Sequence, residues 1–475
     1  MARMHVLSSA VVAALAAVGA LVPSQASAID LLSVYRMAQG SDPTFEASRY
    51  ALEAGREKLP QARAGVLPSI NLNGNGNRQD GQSSFAGSPF TDRSVNSWAW
   101  NLQLSQPVVR VANWIGVAQA GAQVEQAEAQ FAHAESELIL RTSQAYFDLL
   151  TARDSVTVAR AQLRAVEQQR VLAQRRYDVG EATITDVYES QSRHDLARSQ
   201  LVQALNDQEA KQAELERLVG PLPEPVAGLK ADVNLPGPEP KDVNAWMGHA
   251  RENNPVVRTQ LAAVEVAEKE VSRNRAAHLP TLDLTAGYGN NYTSGSMTSP
   301  ADIENRVKSG TIGLQLTIPI YQGGAVSSRV TEAIANRYKS RAELEAARRQ
   351  AATQARQAYG GVTSGLSQVE ALTSAVTSSV DSVNANKIGY RIGTRVNIDV
   401  LNAEQQLFAA QRDLAKARYD TILQGMRLKA AAGTLSESDV QAVNALLTNN
   451  AQQETPAVTA MPAAASMKQS RTSIQ

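Results

Sequence analysis

The sequence predicts an α+β membrane fold in two homologous halves, each a β-hairpin followed by a very long helical hairpin. Three observations predict it. The chain repeats itself with a period near half its length. Two stretches of more than a hundred residues contain no proline. Four segments of alternating polarity lie just before those stretches.

The duplication is read from motifs. Ser41-Asp42-Pro43 recurs as Asn253-Asn254-Pro255, Leu67-Pro68-Ser69-Ile70 as Leu279-Pro280-Thr281-Leu282, and Leu102 to Pro107 as Leu314 to Pro319, all 212 positions apart. Tyr177 with Gly180 recurs as Tyr390 with Gly393, Asp186-Val187 as Asp399-Val400, and Gly220 as Gly433, now 213 apart, so one residue is inserted between the sets. Solenoids repeat every 20–50 residues, so this period means two halves.

The predicted organisation has a first repeat over 29–220 and a second over 242–433, each opening on short helices. The β-hairpins are placed at about 68–108 and about 280–320, and the helical hairpins at about 109–220 and about 321–433. Between the repeats, 221–241 is a connector whose proline density stops helices. A short helix is expected over 434–450. The polar, patternless 451–475 is expected to be a disordered tail.

Long helices are justified by periodicity. Leu138, Thr142, Ala145, Leu149, Ala152, Val156, Ala159, Leu163 and Val166 recur at steps of four and three. That is the spacing of a coiled-coil seam. Ala351, Ala355, Ala358, Val362, Gly365, Val369, Leu372 and Val376 form the second-half stripe. Gly180 and Gly393 break the stretches and predict the hairpin tips. At 1.5 Å per residue, each longer helix of about 70 residues reaches about 100 Å.

The strands are justified by a period of two. Trp98, Trp100, Leu102 and Leu104 alternate with small or polar residues, as do Ile312, Leu314, Leu316, Ile318 and Ile320. Ile70 with Leu72, and Leu282 to Tyr288, read as their partners. The joining loops are predicted at Arg78–Asp92 and Asn291–Lys308 from their Gly, Ser, Asn and Asp content. Apolar-out, polar-in strands with aromatics near their ends match a membrane barrel. Four strands cannot close one, and lipid tolerates no open sheet edge, so the chain must oligomerise.

Composition limits function. Lys+Arg and Asp+Glu are both 46, which gives no electrostatic pull toward nucleic acid. With no cysteine there is no thiol catalysis, disulfide or lipidated cysteine. Arg3, the apolar run from Val6 to about Val22, and Ala26-Ser27-Ala28 form a signal-peptide pattern, so 1–28 is expected to be removed. His133, His194, His249 and His278 are isolated, and neither a phosphate-binding glycine loop nor a nucleophile elbow occurs. No enzyme, metal site or cofactor is expected.

The Leu67–Ile70 motif, the Tyr177–Val187 stretch, the Gly389–Leu401 stretch, Ala417-Arg418-Tyr419-Asp420 and Gly433-Thr434-Leu435 together resemble the TolC family, over about Ile29 to Leu447. The resemblance implies a homotrimer with a twelve-stranded barrel in the outer membrane of a Gram-negative bacterium and an α-helical tunnel in the periplasm. It implies a passive exit duct for efflux or type I secretion, working with a periplasmic adaptor and an inner-membrane transporter. It also implies a periplasmic latch at Thr185, Asp186, Tyr390 and Arg395, and an acidic aperture at Asp399. The family's second acidic aperture position is Asn402 here, a departure that weakens the expected negative ring. The competing reading is a periplasmic coiled-coil adaptor or structural protein, which would need no detergent.

Overall fold

A computed structural model describes residues 28–222, 225–230, 233–301 and 303–448. Apart from Ala28, the expected signal peptide lies outside the described residues, as does the tail expected over 451–475.

The first half runs α1 (Leu31–Ser41), α2 (Pro43–Arg56), α3 (Lys58–Ala64), β1 (Ser69–Ser83), β2 (Thr91–Val109), α4 (Val111–Asp178) and α5 (Ile184–Val219). The second runs α6 (Val243–Asn253), α7 (Pro255–Ala276), β3 (Thr281–Thr293), β4 (Asn305–Thr317), α8 (Ala325–Arg391) and α9 (Asn397–Ala431), followed by α10 (Glu437–Asn444). The repeated Asp42-Pro43 and Asn254-Pro255 have one physical role. Each Asx side chain accepts from the backbone N–H two residues on, and each proline occupies the first helical turn.

Helix α10 is shorter than the 434–450 expected. Ser436 and Asp439 form a capping box that fixes its start, and Leu447 leaves the helix to bridge Leu229 of the connector.

The strands form one antiparallel sheet in the order β1-β2-β3-β4. They run further than turn chemistry predicts. Arg78 pairs with Asn96, Asp80 with Ser94, and Asn291 with Val307, which brings Arg78, Asp80, Asn291 and Val307 of the expected loops into ladders. Pairing is made by backbone groups, so exposed polar side chains do not stop it. β4 is shorter than expected, ending at Thr317. Pro319 donates no hydrogen bond, and Gly323 and Gly324 turn the chain at positive φ, so Ile318 and Ile320 lie outside the ladder. β2 instead passes Pro107 through a register shift between Pro107 and Val109.

Ladder partners share a face. Ile70, Leu104, Ala286 and Ile312 form one row, and Leu72, Leu102 and Tyr288 the next. Trp98 stacks on Tyr292 at 5.5 Å, and Trp100 tilts against Tyr288 at 5.8 Å. Most of this apolar face is solvent-exposed in the single chain.

α4 packs against α5, α7 and α9, and α8 against α6, α7 and α9. Every seam residue from Leu138 to Val166 is buried except Leu163, which is half-buried. The second stripe is buried from Ala351 to Val362, where Trp246, Leu428 and Ala432 cover its lower end. From Gly365 to Val376 it is half-buried. Small residues set the spacing: a Cβ on Gly365 would lie 2.5 Å from Thr421 Oγ1. Near mid-length, α1, the connector and α10 close a core with Tyr146 and Phe147, and the Tyr146 hydroxyl donates to the Ala227 carbonyl at 2.6 Å.

Candidate functional site: the tips of the helical hairpins

Helix α4 ends with Arg175 and Arg176 in its last turn, which suits the negative end of the helix dipole. Gly180 follows at φ +80°. Its N–H donates to Tyr177 O at 2.9 Å, and the Glu181 N–H to Arg176 O at 2.8 Å. These two bonds make a Schellman stop. Gly393 repeats it at φ +82°, with its own N–H on Tyr390 O at 3.3 Å and the Thr394 N–H on Gly389 O at 2.9 Å. Both predicted tip glycines thus occupy the one position that needs left-handed backbone.

The helices that leave the tips start differently. Thr183 caps α5 by accepting from the Asp186 N–H at 3.3 Å. Asp186 Oδ2 accepts in return from the Thr183 N–H at 3.1 Å and its hydroxyl at 2.8 Å, completing a capping box. The position matching Thr183 is Val396, which offers no side-chain acceptor. Asp399, the counterpart of Asp186, is therefore not held in a cap. It lies 3.7 Å from Arg395 Nη1 in an open i,i+4 pair.

Among the described residues, no hydrogen bond or ion pair within the chain joins Thr185 or Asp186 to Tyr390 or Arg395. Thr185 and Arg395 are exposed. The Tyr390 ring lies under the Arg176 guanidinium at 4.5 Å, and Arg176 Nη1 donates to Tyr390 O at 3.4 Å. The Tyr390 hydroxyl is buried without a hydrogen-bond partner. Asn402 accepts from Arg193 Nη2 at 3.0 Å, while Arg193 Nη1 donates to Gln405 at 2.7 Å.

Sequence reasoning missed several residues here. Asn397 opens α9, is 1% exposed, and donates from Nδ2 to Ser190 Oγ at 2.8 Å. The Ser190 hydroxyl in turn donates to the Asp186 carbonyl at 2.8 Å. Glu404, 2% exposed, pairs with Lys387 at 2.7 Å between α9 and α8. His194 of α5 sits 3.2 Å from Glu167 of α4 and 3.3 Å from Asp195.

Gly389 has a separate reason. Arg395 folds back over it, donating its N–H to Gly389 O at 3.2 Å, and a Cβ on Gly389 would lie 2.7 Å from Arg395 Cγ. The matching residue of the first tip is Arg176.

A family model described as outer membrane efflux protein matches residues 34–221 and 246–434. The chain is 33% identical over 442 residues to the alkaline protease secretion protein AprF of Pseudomonas aeruginosa, covering 92% of this chain and 90% of AprF. It is 30% identical over 427 residues to the outer membrane protein TolC of Escherichia coli, covering 89% and 85%. In fold it is similar to the outer membrane protein VceC of Vibrio cholerae, with a TM-score of 0.71 at 18% identity over 85% of this chain and 96% of VceC.

Proposed function

The chain belongs to the outer membrane efflux protein family, and from that premise we propose that it is the outer-membrane exit duct of a tripartite efflux or type I secretion system. One observation carries the reading: a four-stranded sheet with an exposed apolar face and free β1 and β4 edges runs almost directly into the long helices. Each backbone group left unpaired in hydrocarbon costs several kcal/mol, so both edges must find partners in lipid. A second and a third copy supply them, giving twelve strands and one closed barrel.

Only Arg110 separates β2 from α4, and α4 has 68 residues. At 1.5 Å per residue it extends about 100 Å from the barrel. Three copies of the two helical hairpins then form a periplasmic tunnel. A periplasmic adaptor and an inner-membrane transporter dock on its far end and supply the energy. A coiled-coil adaptor, the competing reading, gives no account of the sheet. The likeness to AprF, whose name is that of a protease secretion protein, supports an export role.

The tips are the periplasmic gate. Thr185 and Asp186 of one chain meet Tyr390 and Arg395 of its neighbour as a latch, and Asp399 lines the aperture. The open Arg395–Asp399 pair supports this, because its groups are free to exchange partners. Asn402, already held by Arg193, adds no second layer of charge.

Purification and planar bilayers test the reading. The expected result is a detergent-dependent trimer that conducts ions, with higher single-channel conductance in Asp186→Ala and Arg395→Ser. A water-soluble monomer that passes no ions would overturn the duct. Unchanged conductance in both variants would remove the latch alone.

A further inference from the structure

We propose that Arg306 and Lys308 form a site on the lipid-facing side of the sheet for the phosphate groups of an outer-leaflet lipid. The inference rests on the reading of the sheet as a membrane barrel and goes beyond it by assigning a ligand to its outer rim.

The ladder register places both cations. Arg306 pairs with Tyr292, which pairs with Trp98, and Lys308 pairs with Asn290, which pairs with Trp100. Ladder partners share a face, and side chains alternate along a strand. Arg306 and Lys308 therefore share the face of Trp98, Trp100, Leu102, Leu314 and Leu316, which is the apolar one. From Arg306 to Leu316 is ten residues by subtraction, about 34 Å along β4. At a tilt of about 40° this is about 26 Å in height, close to the apolar band of an outer-membrane barrel. β4 enters α8 at its other end, so the two cations sit at the rim away from the periplasm.

Neither cation has an acid of its own. Among the described residues, neither Arg306 nor Lys308 makes an ion pair within the chain, and Glu304 precedes the strand and pairs with neither. In a closed barrel the edge that meets β4 is β1 of a neighbouring copy. Its outward-facing ions at this level, Arg78 and Asp80, already pair with each other at 3.1 Å. A lipid-facing cation is costly at mid-membrane and nearly neutral at the interface. There a headgroup phosphate supplies the opposite charge.

The site is also shaped. Trp98 stacks on Tyr292 at 5.5 Å, and the Arg306 guanidinium lies over the same ring at 5.5 Å. This stack crosses three strands. It holds the guanidinium by its face and leaves the N–H edge free to fork onto a phosphate. Lys308 lies two residues along the same face, about 7 Å away along the strand, and adds a point charge. Tyr and Trp beside the two cations suit the headgroup level, where such rings have one apolar and one wet side. A lipid that carries phosphates on its headgroup meets all of these groups at once.

The test uses the full-length mature protein, purified in detergent as the assembled channel. Native mass spectrometry measures its binding of lipid A in the bisphosphorylated form and in a dephosphorylated form. Wild type is expected to bind the phosphorylated form about tenfold more tightly, the usual gain from charge-assisted hydrogen bonds. Arg306→Gln/Lys308→Gln loses that preference. Arg306→Lys keeps part of it, because lysine retains the charge without the fork. Arg306 and Lys308 are exposed, so the fold survives both changes. Lys339→Gln, which removes an exposed cation of α8, leaves the preference as in wild type. Equal binding of the two lipids by wild type, full preference in the double variant, or an equal loss in Lys339→Gln overturns the site. Release of the lipid by millimolar inorganic phosphate also overturns it, since that marks a site for the free anion. A wild-type chain that stays monomeric and soluble without detergent overturns the barrel reading instead.

Discussion

The tip after α4 and the tip after α8 stop their first helix with the same two backbone bonds around a left-handed glycine, yet they start their second helix differently. At the first, Thr183 and Asp186 cap each other. At the second, Val396 stands where Thr183 would, and Asp399 keeps its carboxylate open. Two acids at matching positions of a repeat thus have different work. One is bound into a helix start, and the other has only a loose pair with Arg395. The comparison teaches that duplication preserves the position of a charge, while the residue three places before it decides whether that charge is free.

The largest effect is expected where the tips differ in size rather than charge. In Gly389→Ala the new methyl meets Arg395 Cγ and Cβ, atoms tied to the backbone of the turn. Overpacking of this kind costs about 1–3 kcal/mol. Hydrogen exchange is expected to rise across Gly389–Val400 and stay unchanged across Arg176–Val187. A similar rise at both tips would show that the second tip has no special crowding.

Next in size is the cap. Asp186→Ala removes half of a capping box and costs about 1 kcal/mol at the start of α5. Asp399→Ala removes only a partly exposed pair at 3.7 Å. Pairs of that kind contribute about 0–1 kcal/mol, and less in salt. Protection of the first turn of α5 is expected to fall in the former variant, while that of α9 changes little in the latter. Equal losses would mean that the two acids serve the same role after all.

Much of this was legible in the sequence. The four-three spacing from Leu138 to Val166 marks a buried seam, and Gly180 and Gly393 mark the tips, because only glycine adopts that backbone freely. The four amphipathic segments mark the sheet, but not its extent. Arg78, Asp80 and Asn291 have turn chemistry and sit in ladders, since a strand extends wherever its backbone is paired. The capping box was also written in the sequence, as Thr183 three residues before Asp186. What could not be read are the links between hairpins. Asn397 meets Ser190 across 207 residues of chain and Arg176 meets Tyr390 across 214. Their pairing depends on the angular phase with which four helices arrive at one place. A one-residue change in any helix would turn that phase by about 100°.

The smallest effect sharpens the comparison by erasing it. Val396→Thr places a hydroxyl three residues before Asp399, which gives the second tip the pattern of the first. Its backbone is already suited, because Val396 is extended and the Asp399 N–H already donates to Val396 O at 3.1 Å. A new cap contributes about 0.5–2 kcal/mol. Val396 is exposed, so the exchange costs little burial. Slower hydrogen exchange is expected in the first turn of α9. The same change draws the Asp399 carboxylate toward the backbone of residue 396 and away from Arg395. If Asp399 provides the aperture charge, cation preference in bilayers falls as the helix grows more stable. Slower exchange with unchanged ion preference would place the aperture charge elsewhere. Unchanged exchange would mean that something other than the missing threonine keeps Asp399 open.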